Sequence, residues 1–131
     1  MTLPRSVRNS NPGNIRADTD DYWKGQTGRD ADGFATFENL AYGVRAMWAI
    51  FRTYRFEHKI YDLEGTIRRW STTDQDSYLR YVRNVMGPTT LIWPLAYAIL
   101  IEAISDFESG GWKVSRAFAE KVYNEYKEDL K

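Results

Sequence analysis

The chain has no cysteine and a single histidine, His58. The first absence excludes disulfides and thiolate zinc sites. The second excludes a multi-histidine metal centre and leaves His58 as the only route to a histidine triad, so neither metal nor cofactor is expected. A surplus of one charge is also missing. The 18 Lys and Arg balance the 18 Asp and Glu, for a formal net charge of zero. Affinity for phosphate rests on a cationic surplus, so nucleic acid is not expected as a partner, although Arg68-Arg69 and Arg80 to Arg83 leave room for a local basic face. No apolar run reaches the roughly 20 residues of a membrane-spanning helix. The longest, Leu91 to Ile104, is broken by Pro94 and Glu102, and membrane insertion is not expected. The N-terminus lacks the apolar stretch of a Sec signal peptide. The expectation is synthesis in the cytoplasm and, for work outside it, delivery by other means.

What the chain does have is length and aromatic content. Its 131 residues make one domain, 1–131, long enough to bury a core, and 15% of them are aromatic, more than a disordered chain would carry. Residues 1 to 38 read as turns and short strands. Asn11-Pro12-Gly13-Asn14, Lys24-Gly25, Thr27-Gly28 and Asp32-Gly33 are turn formers. Between them lie strand candidates at Ile15-Arg16, Tyr22 to Gln26 and Phe34 to Phe37, the last preceded by a hairpin signal. From Asn39 the period becomes helical. Val44, Met47, Trp48, Phe51 and Tyr54 form one apolar stripe on a helix capped by Asn39 and running to about Glu57. Further helices are predicted over Leu63 to Trp70, from an Asp74 cap to Gly87-Pro88, over Leu91 to Glu108, and over Ser115 to Lys127. Tyr78, Tyr81, Val82 and Val85 should face inward. The fold class is mainly α (α+β), a helical domain with a small β hairpin near its N-terminus.

Two segments carry chemistry. Glu108 ends an apolar helix beside Phe107, just before Gly110-Gly111 and Trp112. It shares a helix face with Ile101 and Ile104, and a carboxyl in such a place suits proton donation to a glycosidic oxygen. The alternative is a solvated carboxylate at a helix end. Nearly a full chain away, Asn9, Asn11 and Asn14 surround Pro12-Gly13. Their amides both donate and accept, which suits sugar hydroxyls and N-acetyl groups, but asparagine also caps turns in left-handed geometry. The expectation is mixed, with Asn14 in the groove and Asn11 shaping the turn. Trp23, Gln26, Phe37 and Trp112 are further candidates to line a sugar groove. For Phe34 and Phe37 the core is the favoured reading. Asp30, Asp32 and Glu38 are the candidates for a second carboxylate.

The run Arg8-Asn9-Ser10-Asn11-Pro12-Gly13-Asn14-Ile15 resembles the R-N-x-N-P-G-N-I opening of a bacteriophage virion-associated and prophage family. Its members are structural proteins or lysozyme-like peptidoglycan-degrading enzymes. The resemblance continues through Trp23 to Gln26, Gly33 to Phe37, Gly43-Val44-Arg45-Ala46, Thr66 to Trp70 with Tyr78 downstream, and Ala103 to Gly110. The chain departs from the family at Ser71 to Ser77, where P-x-x-E-N-x-T is common. Glu108-Ser109-Gly110-Gly111-Trp112 is also similar to the E-S-G context of the catalytic acid in lytic transglycosylases and lysozyme-like glucosaminidases. In the glucosaminidases that acid precedes an asparagine turn, a hairpin and a helix. Here the pieces occur in rotated order, which implies a circularly permuted lysozyme-like fold.

The resemblance implies a phage-type peptidoglycan glycosidase, a lytic transglycosylase or muramidase, cutting β-1,4 links between amino sugars with Glu108 as acid. Its partners would be peptidoglycan glycan strands and other phage virion proteins, and its place the virion or the host cell envelope. The rivals are a non-enzymatic virion structural or ejection protein and a glycan-binding module on the same fold.

Overall fold

The structure is a computed structural model that describes residues 2–130. It is mainly helical with one small antiparallel hairpin near the N-terminus. The order is α1 (Arg5–Arg8), β1 (Gln26–Arg29), β2 (Ala35–Phe37), α2 (Leu40–Phe56), α3 (Leu63–Trp70), α4 (Gln75–Met86), α5 (Leu95–Ser109) and α6 (Arg116–Tyr126).

Helix α5 is the axle of the domain. Ala96, Tyr97, Ala98, Leu100, Ile101, Ala103 and Ile104 are all buried along it. A helix that is apolar nearly all round has to be covered on most sides, and α1, α2, α4 and α6 pack against this one. Full burial of each Leu or Ile contributes roughly 1.5–3 kcal/mol relative to exposure. The stripe on α2 is buried as its spacing requires, with Val44, Met47, Trp48 and Phe51 shielded from solvent. Trp48 also donates from Nε1 to the Ala119 carbonyl at 2.9 Å, tying α2 to α6.

Boundaries follow local chemistry. Asn39 accepts from Tyr42 N, Asp62 from Gly65 N and Ser115 from Phe118 N, so three helix starts are capped by their own side chains. Asp74 occupies the N-cap position of α4 but makes no side-chain cap bond, its backbone being left-handed with φ 50°. Gln75 takes over that corner, its Nε2 donating to the Ser71 and Arg68 carbonyls. Helix α5 begins at Leu95 rather than Leu91. Trp93 precedes Pro94, and the proline ring disfavours helical geometry in the residue before it. Val85 is 43% exposed, not inward.

Near the N-terminus the short helix α1, started by Pro4, stands where turns were expected. Of the expected strand Tyr22 to Gln26 only Gln26 lies in a strand, because Lys24 and Gly25 form a turn. Gln26 N donates to the Trp23 carbonyl at 2.9 Å, while Gln26 Oε1 accepts from Trp23 N at 3.0 Å. The strand begins where that turn ends. Arg16 pairs with Phe34 as an isolated bridge, which extends the hairpin by one rung.

Two close approaches fix the Asn11–Asn14 turn. A Cβ on Gly43 would overlap the Ser10 carbonyl and lie 2.8 Å from Pro12 Cδ. A Cβ on Gly13 would lie 2.7 Å from the Trp70 ring. The turn is held between α2 and the end of α3, and it presents Asn14 to α5.

Candidate active site

Glu108, on the last turn of α5, is half-buried and holds two donors. Asn14 Nδ2 donates to Oε1 at 3.0 Å. Tyr78, from α4, donates to Oε2 at 2.7 Å. Tyr78 in turn accepts from Trp70 Nε1 at 3.2 Å and stacks on Phe107 with centroids 4.0 Å apart. Burial, and then the charge of Glu108, raise the Tyr78 hydroxyl above its ordinary value of 10.0, so it stays protonated and donates. The two motifs at opposite ends of the sequence, 94 residues apart, therefore meet through a direct hydrogen bond.

Glu108 opens on a cavity of about 340 Å³ walled by Arg5, Asn14, Arg16, Phe34, Trp70 and Ser71 to Thr73. A neighbouring hollow of about 300 Å³ shares Gly13, Asn14, Arg16, Trp70 and Thr72 with it and adds Ile50, Tyr54 and Asp18. Together they form a groove along the Asn14 turn. The Arg5 and Arg16 guanidiniums lie over the Phe34 ring, 4.3 and 4.6 Å from its centre. No carboxylate other than Glu108 walls the first cavity among the described residues.

The remaining predicted residues are dispersed. Asn11 is fully buried. Its Nδ2 donates to the Ile15 and Ala35 carbonyls and its Oδ1 accepts from Ile15 N, so it fastens the turn to β2 and cannot reach a sugar. Phe37, on the inward face of β2, is core, which corrects its assignment to the groove. Trp23 and Gln26 line a different depression, with Arg45 and Tyr22, which shares only Arg16 and Asp18 with the groove. Gln26 is also spent on Trp23 N and the Gly28 carbonyl. Trp112 is exposed but lines a separate hollow with Pro12 and Leu40, because Gly110 and Gly111, both at positive φ, turn the chain away from Glu108.

Neither Asp30 nor Asp32 walls the cavity. Asp30 accepts from Asn9 Nδ2 at 2.9 Å and pairs with Arg5 at 3.3 Å. The Asn9 bond, then the Phe34 amide, hold its carboxyl below the usual value. Asp32 pairs with Arg5 at 2.6 Å. Glu38 is exposed beyond β2 and is likewise absent from the cavity wall.

Sequence reasoning missed Thr72 and Thr73. They sit in the segment that departs from the resembling family, and they line the cavity beside Glu108. A polar run between two helices was the only signal. Trp70 and Tyr78 were legible as helix residues, but the partners of their polar atoms were not.

No family model matches the chain. A curated relative, Protein P5 of Pseudoalteromonas phage PM2, is 32% identical over 114 residues, which cover 81% of this chain and 71% of that protein.

Proposed function

The chain belongs to the family of Protein P5 of Pseudoalteromonas phage PM2, a bacteriophage protein family, and on that premise we propose that it is a phage-type peptidoglycan glycosidase with Glu108 as its general acid. The observation that carries the reading is the seating of Glu108. One oxygen is bound to Tyr78 toward the core and the other to Asn14 on the groove wall. A carboxyl so fixed has one orientation to offer a bound glycan, and positioned acids of this kind are worth roughly 10²–10⁴-fold in rate. The lysozyme-like resemblance of the asparagine turn and of Glu108-Ser109-Gly110 supports the same substrate class.

In this mechanism Glu108 gives its proton to the glycosidic oxygen as the bond to the anomeric carbon breaks. No second carboxylate lines the cavity at Glu108, and Asp18, in the neighbouring hollow, is paired with Arg16, so the sugar's own C6 hydroxyl is the favoured nucleophile. It attacks the anomeric carbon and returns its proton to Glu108, leaving a 1,6-anhydro end. A two-carboxylate hydrolase would need its partner acid about 5–5.5 Å away for retention or about 6.5–9.5 Å for inversion. The protein would act from the virion or at the host cell envelope, on glycan strands.

One observation favours a second reading. Both oxygens of Glu108 are satisfied within the protein, as they would be in a glycan-binding module or a virion structural protein that does no chemistry. Mass analysis of purified peptidoglycan after incubation separates the readings. Anhydro-sugar ends are expected. Reducing ends that have taken up water would make it a hydrolase, and binding without released fragments would make it a binding or structural protein.

A further inference from the structure

Trp70 Nε1 is a donor and never an acceptor. It points at the Tyr78 oxygen, which therefore accepts there. The phenol has one proton, and its remaining partner is Glu108 Oε2. That proton is committed to Glu108, and Oε2 is committed to accepting it. A proton on Glu108 then belongs on Oε1, the oxygen bonded to Asn14, a residue of the groove wall.

The Asn14 side chain is matched to that oxygen in an unusual way. Its Nδ2 donates to Oε1, which suits an ionised carboxylate. Its Oδ1 is buried and has no hydrogen-bond partner among the described residues. Turning the amide over would exchange one unpartnered end for the other, so the rest of the protein does not set its orientation. Glu108 does. An ionised Oε1 calls for the amide nitrogen, and a protonated Oε1 calls for the amide oxygen.

We propose that Trp70 and Tyr78 are positioning residues that fix the acidic proton of Glu108 on Oε1, and that the Asn14 amide turns over with that proton. The other groups nearby are already engaged. Arg5, on the cavity wall, is paired with Asp30 and Asp32. Arg16, on the same wall, reaches the Asp32 carbonyl and Asp18. Tyr81 of α4 donates to Asp106 of α5. The functional meaning of the arrangement rests on Glu108 being the general acid, but its test does not.

The test follows the Asn14 side-chain amide by ¹⁵N–¹H NMR in the full chain. In the wild type its signals should move as Glu108 is protonated. Their low-pH position should match their neutral-pH position in Glu108→Gln, where the glutamine carbonyl takes the Tyr78 bond and its amide faces Asn14. In Tyr78→Phe the low- and high-pH positions should draw together, because the proton is then free to sit on either oxygen. Trp70→Phe, which frees Tyr78 to turn, should act in the same direction and serves if Tyr78→Phe does not fold. Asn14 signals that ignore pH, or that stay at their high-pH position in Glu108→Gln, would overturn the inference. Wall cleavage with a silent Asn14 amide would remove this inference and leave the proposed function. A turning amide without wall cleavage would do the reverse.

Discussion

Three asparagines within six residues do three different jobs, and the difference lies in what each side chain meets. Asn9 holds Asp30, Asn11 holds the backbone of Ile15 and Ala35, and Asn14 holds Glu108. Asn11→Ala should strand the Ile15 N–H and the Ala35 carbonyl away from water. Each such group costs about 1–3 kcal/mol, so the variant should lose of order 3 kcal/mol in denaturant unfolding while keeping its activity per folded molecule. Asn14→Ala should do the opposite, leaving the unfolding midpoint nearly in place and reducing wall cleavage by about tenfold or more, which corresponds to about 1.4 kcal/mol of transition-state stabilisation. Asp30 gives a pH signature. Its carboxyl is held below the ordinary value of 3.8 by Asn9 and the Phe34 amide. Its contribution to stability is therefore complete above the ordinary value and lost as pH falls through the lower folded value. The melting temperatures of wild type and Asp30→Asn should differ most near neutrality and converge in acid, and a gap that widens in acid would contradict the assignment. At this scale the sequence singled out Glu108 and the asparagine cluster as candidates, because carboxylate and amide chemistry are legible from residue type, and the structure brings Glu108 and Asn14 into contact. The expectation of Asn14 in the groove and Asn11 shaping the turn agrees with these contacts. Both flank the same Pro-Gly, and the atoms each one meets came only from the direction of its side chain in the fold.

The elements were legible where periodicity or a cap defines them. Asn39 caps α2 as its position suggests, and Val44, Met47, Trp48 and Phe51 of the α2 stripe are buried, with Tyr54 half-buried at its end. They were less legible where one residue's geometry interrupts a pattern. Pro94 delays α5 by about a turn, and the Trp23–Gln26 turn displaces β1 toward Arg29. The four-residue α1 is too short to show a period. Gly43 shows how an element-level feature serves the site. It lets the Ser10–Pro12 backbone lie against α2, and with Gly13 against Trp70 it locates Asn14. Gly43→Ala must push that backbone away, and overpacking of this kind costs about 1–3 kcal/mol. The variant should be destabilised by that amount in denaturant titration and should lose wall cleavage beyond what its unfolded fraction explains. Full activity per folded molecule would mean that the turn's position is not needed.

At the scale of the whole molecule, the two motifs that meet lie near opposite ends of the chain. The asparagine turn comes first and the acid last, yet α5 brings the end of its apolar run under the turn. Sequence could name both motifs because each is local. It could not give their hydrogen bond, which spans 94 residues, or the wall supplied by Ser71 to Thr73, which only α3 and α4 place there. On the proposed reading this meeting point is a proton donor acting on cell-wall glycan. The most direct test is release of soluble fragments from purified peptidoglycan by wild type and by Glu108→Gln, with the melting temperature of each measured alongside. Gln keeps the size and the two hydrogen bonds but cannot give up a proton to a leaving group. Steady release by the wild type is expected, with a loss of about 10²–10⁴-fold in the variant and nearly equal melting temperatures. Equal release by the two proteins, or none by a folded wild type, would contradict that reading.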